Sequence, residues 1–562
     1  MSSVETGSSA PRGIRVILLA FLLCLHLAIA LHSMWYSSAT FDEPDCVGVG
    51  RFLYETGYWD VTVARINTPF VFYAQSLPTF LIDIPGDVWK VPRDRVVAYD
   101  DEVGGRILYG ESGDPMTVLR IARLPTLVFS VLLLVIVFLW TESLFGRAAA
   151  GIAGLVYALE PNVLAAARLV TGDMFSALYF TAQFWTLDLL RRKFSWKMFG
   201  VAALMSAASL SARLNGFFML PLGLVFLVVI LKRSVPAVPH RLAALAVYGL
   251  LPFLLLWALY GFSVGPPLAA GGRGDVLDAT LARLPPAVAG IARDVLDRSW
   301  PMPQYAAVWA NMLALARRGF PAFLLGEFRD TGWWYYFPVA FLVKTPIPLL
   351  LLFLAGIWIC ARSLDRSAFA LLLLPVLATV VPAMAGGLNY GFRHMLPAMP
   401  FLITIAAGAA ARARTRHYRK IILILLVWLV IGAARVHPSH LSYFNEIAGG
   451  PEGGEEWLSD SNIDWGEDYV RLAEYQRRMG IEVLQFAPYP IIPPEVYGVC
   501  FRRPAGPVRG IMAVEVMAQQ FARRRPDNPL AWLDSHKPID RVGGSIKIYR
   551  VEPGDATAVS GR

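Results

Sequence analysis

The chain has 562 residues, 56% of them hydrophobic and only 17% charged, with a formal net charge of +9. A mean hydropathy of +0.50 is too apolar for a soluble protein of this length, so several membrane spans are expected. The positive charge then reads as Lys and Arg held in cytoplasmic loops rather than as a nucleic-acid surface. Cys24, Cys46, Cys360 and Cys500 are too scattered for a zinc site, and no phosphate-loop, dinucleotide or HExxH pattern occurs.

In chain order, residues 1–13 are Ser/Gly-rich and expected to be a disordered cytoplasmic N-terminus. A membrane domain over 14–436 follows, with about eleven spans. The first, 14–32, has a basic flank but no small-residue cleavage site and reads as a retained anchor. A long loop, 33–118, leads to spans near 120–140, 148–167 and 173–190. The apolar stretch 198–231 is barely long enough for two spans, which would meet at Arg213-Leu214-Asn215-Gly216. Span 7 covers 242–262. A second, Pro/Gly-rich loop, 263–333, ends in the aromatic run Trp333–Phe337, which suits a membrane interface. Spans 8 to 11 fall before 360 and near 368–386, 395–411 and 421–434. With the N-terminus in the cytoplasm, the short basic loops at 191–197, 232–241, 362–366 and 412–420 all lie inside, and both long loops lie outside. The polar remainder, 437–562, reads as a small extracytoplasmic α/β domain. Its helix would span Gly466–Met479, and its strands Ile481–Phe486, Arg509–Met517 and Gly544–Val551. Cys46 and Cys500 fall on the same outer side, where a pairing is open.

Polar residues that are costly near lipid gather on that outer side. Asp42 and Glu43 follow span 1, and Arg168 and Asp173 flank the turn between spans 3 and 4. Arg213 and Asn215 occupy the next break, Lys344 begins span 8, and Arg393 and His394 lie between spans 9 and 10. Carboxylates and cations at one depth suit a substrate with a lipid tail and an anionic head. A carboxylate can take a proton from an attacking hydroxyl, while Arg and Lys hold a phosphate leaving group. Each residue also has a plain structural alternative. Arg168 with Asp173 could be an interfacial ion pair, Arg393 and Lys344 could snorkel, His394 could be packed, and Glu160 beside Pro161 could cap a kink.

These residues resemble a known family. Phe41-Asp42-Glu43, Arg120–Pro125, Glu160-Pro161-Asn162 and Arg168–Asp173 carry the likeness. So do Tyr335–Pro338, Lys344-Thr345-Pro346, Gly391–Pro397 and Asp460–Gly466. In order and spacing they are similar to the bacterial dolichyl-phosphate-mannose–protein mannosyltransferase-like proteins, glycosyltransferase family 39 of the GT-C superfamily. The resemblance implies a mainly α, GT-C-type helical bundle that moves a mannose-like hexose or pentose from a polyprenyl-phosphate donor to an acceptor hydroxyl. Transfer would invert the sugar carbon on the periplasmic face of a bacterial inner membrane. Asp42, Glu43 and Asp173 would be catalytic. Arg393, Arg65, Lys344 and Arg168 would bind the donor phosphate, and Asn67, Arg213, Asn215, Tyr336 and His394 would line the substrate cavity. The resemblance fixes no cofactor, and a divalent cation between the carboxylates stays open. The first loop has Arg65-Ile66-Asn67-Thr68-Pro69 where many members carry His-Pro-Pro, and Arg213 stands where many have Lys. The acceptor, whether protein, lipid or glycan, is left undefined. A lipid-phosphate transporter or flippase and an oligosaccharyltransferase-like enzyme stand as alternatives.

Overall fold

The computed structural model describes residues 12–57, 59, 67–90, 100–111, 113–267, 281–411, 415–489 and 492–552. Arg65, the basic-loop residues Arg412 and Arg414, and the predicted disordered stretch before Arg12 lie outside them. The protein is mainly helical, with a small sheet near its C-terminus.

Every predicted span is helical. Among the described residues, Gly13–Trp35, Pro115–Phe145, Gly216–Ser234, Val238–Leu259 and Arg366–Ala385 are each long and apolar enough to cross a bilayer. Two further stretches are bent pairs, which bring the count to seven if each pair is one span. Arg147–Leu159 and Pro161–Ala167 meet at 63°, and Tyr336–Lys344 and Ile347–Ser363 at 115°. At the first break Pro161 opens the second helix, where its missing N–H is tolerated, and at the other Pro346 stands at the N-cap just before Ile347–Ser363. Glu160 caps the first break by accepting from Val163 N at 2.7 Å. The other helices are shorter, such as Trp196–Ala212, or carry charge, such as Arg416–Val436. These helices make the chain a multi-pass membrane protein. Trp140, Phe138 and Phe184 lie in the core of the bundle, whereas Leu250, Leu254, Leu423 and Ile424 stay exposed on outer helices, as side chains facing lipid would.

Loop 263–333 holds helices Pro286–Leu296 and Pro303–Arg318 and two short ribbons, β1 (Val264–Gly265) with β2 (Trp300–Pro301) and β3 (Ala322–Leu324) with β4 (Glu327–Arg329). The tail forms a five-stranded sheet in the order β6-β5-β7-β9-β8, from β5 (Leu484–Ala487), β6 (Phe501–Arg502), β7 (Gly510–Glu515), β8 (Asp540–Val542) and β9 (Ile546–Val551). β5 runs parallel to β6 and β7, and β9 antiparallel to β7 and β8. The tail helix spans Tyr469–Arg478 and starts later than its periodicity suggests, because Gly466 is left-handed at φ +90°. The strand expected over Arg509–Met517 ends at Glu515 and turns into helix Val516–Ala522. The tail shares a core with the first loop: Phe52, Val103 and Leu119 pack in one cluster with Tyr469, Phe486 and Ile548. All four cysteines are free, including Cys46 and Cys500.

Candidate active site

A cavity of about 780 Å³ opens where the helical bundle meets the tail. Asp42 immediately precedes helix Glu43–Thr56, whose start is set by Pro44. Its Oδ2 accepts from Arg393 Nη1 at 2.5 Å, across 351 residues of sequence. Arg393 lies two residues after Gly391, which holds φ +126° and where a Cβ would strike Ser461 Oγ. The tail clasps this turn. Asn462 Oδ1 accepts from Phe392 N at 2.8 Å, Ser461 Oγ donates to Tyr390 O, and the Arg393 guanidinium lies 4.4 Å from the Trp465 ring centre. Asp173, the first residue of helix Asp173–Arg192, pairs with Arg213, which also lies 3.3 Å from His394 Nδ1. Asp42, Asp173, Arg213, Arg393, His394, Asn67 and Asn215 all line this one cavity.

Other expected site residues are placed elsewhere. Glu43 is fully buried and does not line the cavity. Successive residues at a helix start diverge by about 100°, so Glu43 faces inward when Asp42 faces the cavity. There it meets Arg123 at 2.6 and 2.8 Å and accepts from Val170 N and Thr40 N. Burial alone would raise its pKa, but Arg123 and these N–H groups outweigh that and hold it below the ordinary value. Arg123 also donates to Ser37 O and Ser38 O, so the pair fixes the segment that carries Asp42. Arg168 is buried against Ser37 Oγ, away from the cavity. Lys344 Nζ donates to Leu441 O at 2.7 Å and Asn462 O at 2.6 Å, and borders a small adjoining pocket that Arg393 also lines. Tyr336 is buried with its hydroxyl 3.0 Å from Asn462 Nδ2. Arg65 lies outside the described residues.

The structure adds residues that sequence reasoning did not select. Asp460, Asp464, Trp465, Tyr489 and Glu515 line the tail side of the cavity. Asp464 accepts from Met517 N at 2.8 Å, and Glu515 accepts from Tyr489 N. Burial, and then neighbouring carboxylates, push both acids above their ordinary range. Asp460 rises to about 6, mainly through burial, while Arg393 opposes the rise. The only signal in the sequence was the run Asp460–Gly466, noted for its resemblance rather than its chemistry. No group of three or more metal-ligating side chains is placed to hold an ion among the described residues.

Residues 116–257 match the family model of dolichyl-phosphate-mannose–protein mannosyltransferase. The matched segment includes Arg123, Asp173 and Arg213, while Asp42, Arg393 and the tail lie outside it. No curated protein sequence matches the chain. Among solved structures, the chain is similar to ArnT from Cupriavidus metallidurans bound to undecaprenyl phosphate, with 13% identity and a TM-score of 0.46, covering 96% of this chain and 98% of that one. It is also similar to the archaeal oligosaccharyltransferase AglB from Archaeoglobus fulgidus, in complex with an inhibitory peptide and a dolichol-phosphate. There the identity is 14% and the TM-score 0.47, covering 84% of this chain and 58% of that one.

Proposed function

We propose that the protein is a GT-C-type membrane glycosyltransferase. It moves a sugar, a mannose-like hexose or a pentose, from a polyprenyl phosphate to an acceptor hydroxyl, on the periplasmic side of a bacterial inner membrane. The observation that carries this reading is the Asp42–Arg393 pair on the wall of a cavity between apolar helices and a polar tail. The family match over residues 116–257 points the same way.

The two residues take complementary parts. Arg393 covers Asp42. A donor phosphate competes for the guanidinium, which binds phosphate oxygens as readily as a carboxylate. Once Arg393 turns to the phosphate, the Asp42 carboxylate is free to accept a proton. The acceptor oxygen attacks the anomeric carbon from the face opposite the phosphate, and the bond from that carbon to the phosphate oxygen breaks. The phosphate leaves with the bonding electrons beside Arg393, Asp42 takes the hydroxyl proton, and configuration inverts. Asp173 orients Arg213, which lies beside His394 as a second cation for the phosphate. Glu43, held by Arg123, keeps the Asp42 segment in place without touching substrate.

The test is sugar transfer from synthetic polyprenyl-phosphate sugars by purified protein in lipid. Asp42→Asn should lower turnover at least about a hundredfold, about 2.7 kcal/mol of barrier, with donor binding retained. Transfer that survives the substitution moves the base to Asp173. Lipid-phosphate binding with no turnover across a broad sugar and acceptor panel would favour a transporter instead.

A further inference from the structure

The tail side of the cavity has a chemistry of its own. Strands β5 and β7 run parallel, and their carboxyl ends deliver Tyr489 and Glu515 to the cavity wall. The carboxyl end of a parallel α/β sheet is where such folds bind ligands. Asp464 and Glu515 are each 1% exposed, and Asp460 joins them on the same wall. Glu515 Oε2 accepts from Tyr489 N, whereas the buried Oε1 has only the Tyr469 hydroxyl to meet it. A carboxylate has about four acceptor sites, so a ligand can supply further donors here.

Charge then narrows the ligand. Six carboxylates line the cavity, Asp42, Asp45, Asp173, Asp460, Asp464 and Glu515, against two guanidiniums, Arg213 and Arg393. Both guanidiniums are paired on the helix side, with Asp173 and Asp42. A donor phosphate adds further negative charge there. On the tail wall Asp464 and Glu515 form no ion pair among the described residues, so an incoming cation finds carboxylates to pair with there and an incoming anion does not. The Tyr489 and Phe521 rings, 5.3 Å apart, and Tyr469 supply aromatic faces for the same cation.

We propose that this wall is an acceptor subsite for a positively charged, amine-bearing group, held by Glu515 and Asp464 beside the packed Tyr489 and Phe521 rings. The proposal rests on reading the cavity as a glycosyl-transfer site and adds the chemical class of the acceptor. The full chain in lipid nanodiscs would be titrated with methyl glucosaminide, methyl glucoside and glucose 6-phosphate, read by ligand-observed NMR. Binding of polyprenyl phosphate serves as the control for an intact donor side. The aminosugar should bind at least tenfold more tightly than the neutral sugar, and the phosphorylated sugar more weakly than either. Glu515→Gln and Asp464→Asn should each erase the preference for the amine with polyprenyl phosphate binding unchanged. Equal binding of amine and neutral sugar overturns the proposal, as does preference for the phosphate. It also fails if none of the three sugars binds while polyprenyl phosphate does, if the preference persists in both variants, or if Mg²⁺ alone displaces the aminosugar. Loss of polyprenyl phosphate binding in the unmodified protein would instead count against the glycosyltransferase reading.

Discussion

The two walls of the cavity carry the same kind of side chain in opposite states. On the helix side, Asp42 and Asp173 each face a guanidinium, Arg393 and Arg213. On the tail side, Asp464 and Glu515 are held by backbone N–H groups and form no ion pair among the described residues, while Asp460, held by Ser461 N, feels the Arg393 that Asp42 already engages. A carboxylate facing a guanidinium has its charge met, and a ligand must compete for that partner. An unpaired, buried one is pushed toward its neutral form and gains from any donor or cation that enters. The contrast divides the cavity into a side suited to a phosphate and a side suited to its opposite.

The comparison can be broken most severely at Glu43, the extreme of the paired state. Removing one partner from a buried ion pair strands the other, at a cost of about 3–5 kcal/mol. Glu43→Ala should therefore lower stability by that much, seen as a fall in the thermal unfolding temperature of detergent-solubilised protein. Replacing both partners with apolar residues, Glu43→Leu with Arg123→Met, should restore much of the loss. A Glu43→Ala protein that unfolds like the wild type would mean that the pair does not hold the first loop.

Next in size is the phosphate side. Arg393→Gln removes a charged donor, worth about 1.5–3 kcal/mol, so affinity for polyprenyl phosphate should fall about tenfold to a hundredfold in a direct binding measurement. Asp173→Asn leaves Arg213 in place and only loosens it. Its effect on transfer should be about tenfold, well short of the loss at Asp42. Equal losses at Asp42 and Asp173 would show that the two pairs do not differ in role.

How much of this was readable beforehand follows the same division. On the helix side, charge interrupts hydrocarbon, so Asp42, Asp173, Arg213 and Arg393 stand out against apolar runs, and the helices around them follow from hydropathy. The 63° and 115° bends were not readable as angles, although Pro161 and Pro346 marked the places. Asp42 and Glu43 could not be told apart, because the direction each faces depends on where the helix begins. In the tail, carboxylates are ordinary surface residues. Nothing in an alternating strand says that Glu515 ends buried at a cavity, or that Asp464 lies across from it. Those positions depend on long-range packing of the sheet against the first loop.

The smallest expected effect concerns protons on the tail wall. Asp460 rises from 3.8 to about 6, and Asp464 and Glu515 are raised as well, in each case first by burial. A carboxyl with a raised pKa binds its proton more tightly when folded than when unfolded. Below the unfolded pKa, near 4, both states are protonated and folding carries no penalty. As pH rises above that value the unfolded chain loses protons that the folded state keeps, so stability declines until the folded acids also ionise, at about 6 for Asp460 and higher for Asp464 and Glu515. The thermal unfolding temperature should therefore fall across that window. Glu515→Gln, which stays neutral throughout, should flatten the decline and leave the variant more stable than wild type at its alkaline end. The buried Glu43–Arg123 pair predicts the reverse sign, since its carboxylate is held below the ordinary value and stabilises only while ionised. A Glu515→Gln variant with an unchanged slope would place Glu515 among the paired carboxylates and remove the distinction between the walls.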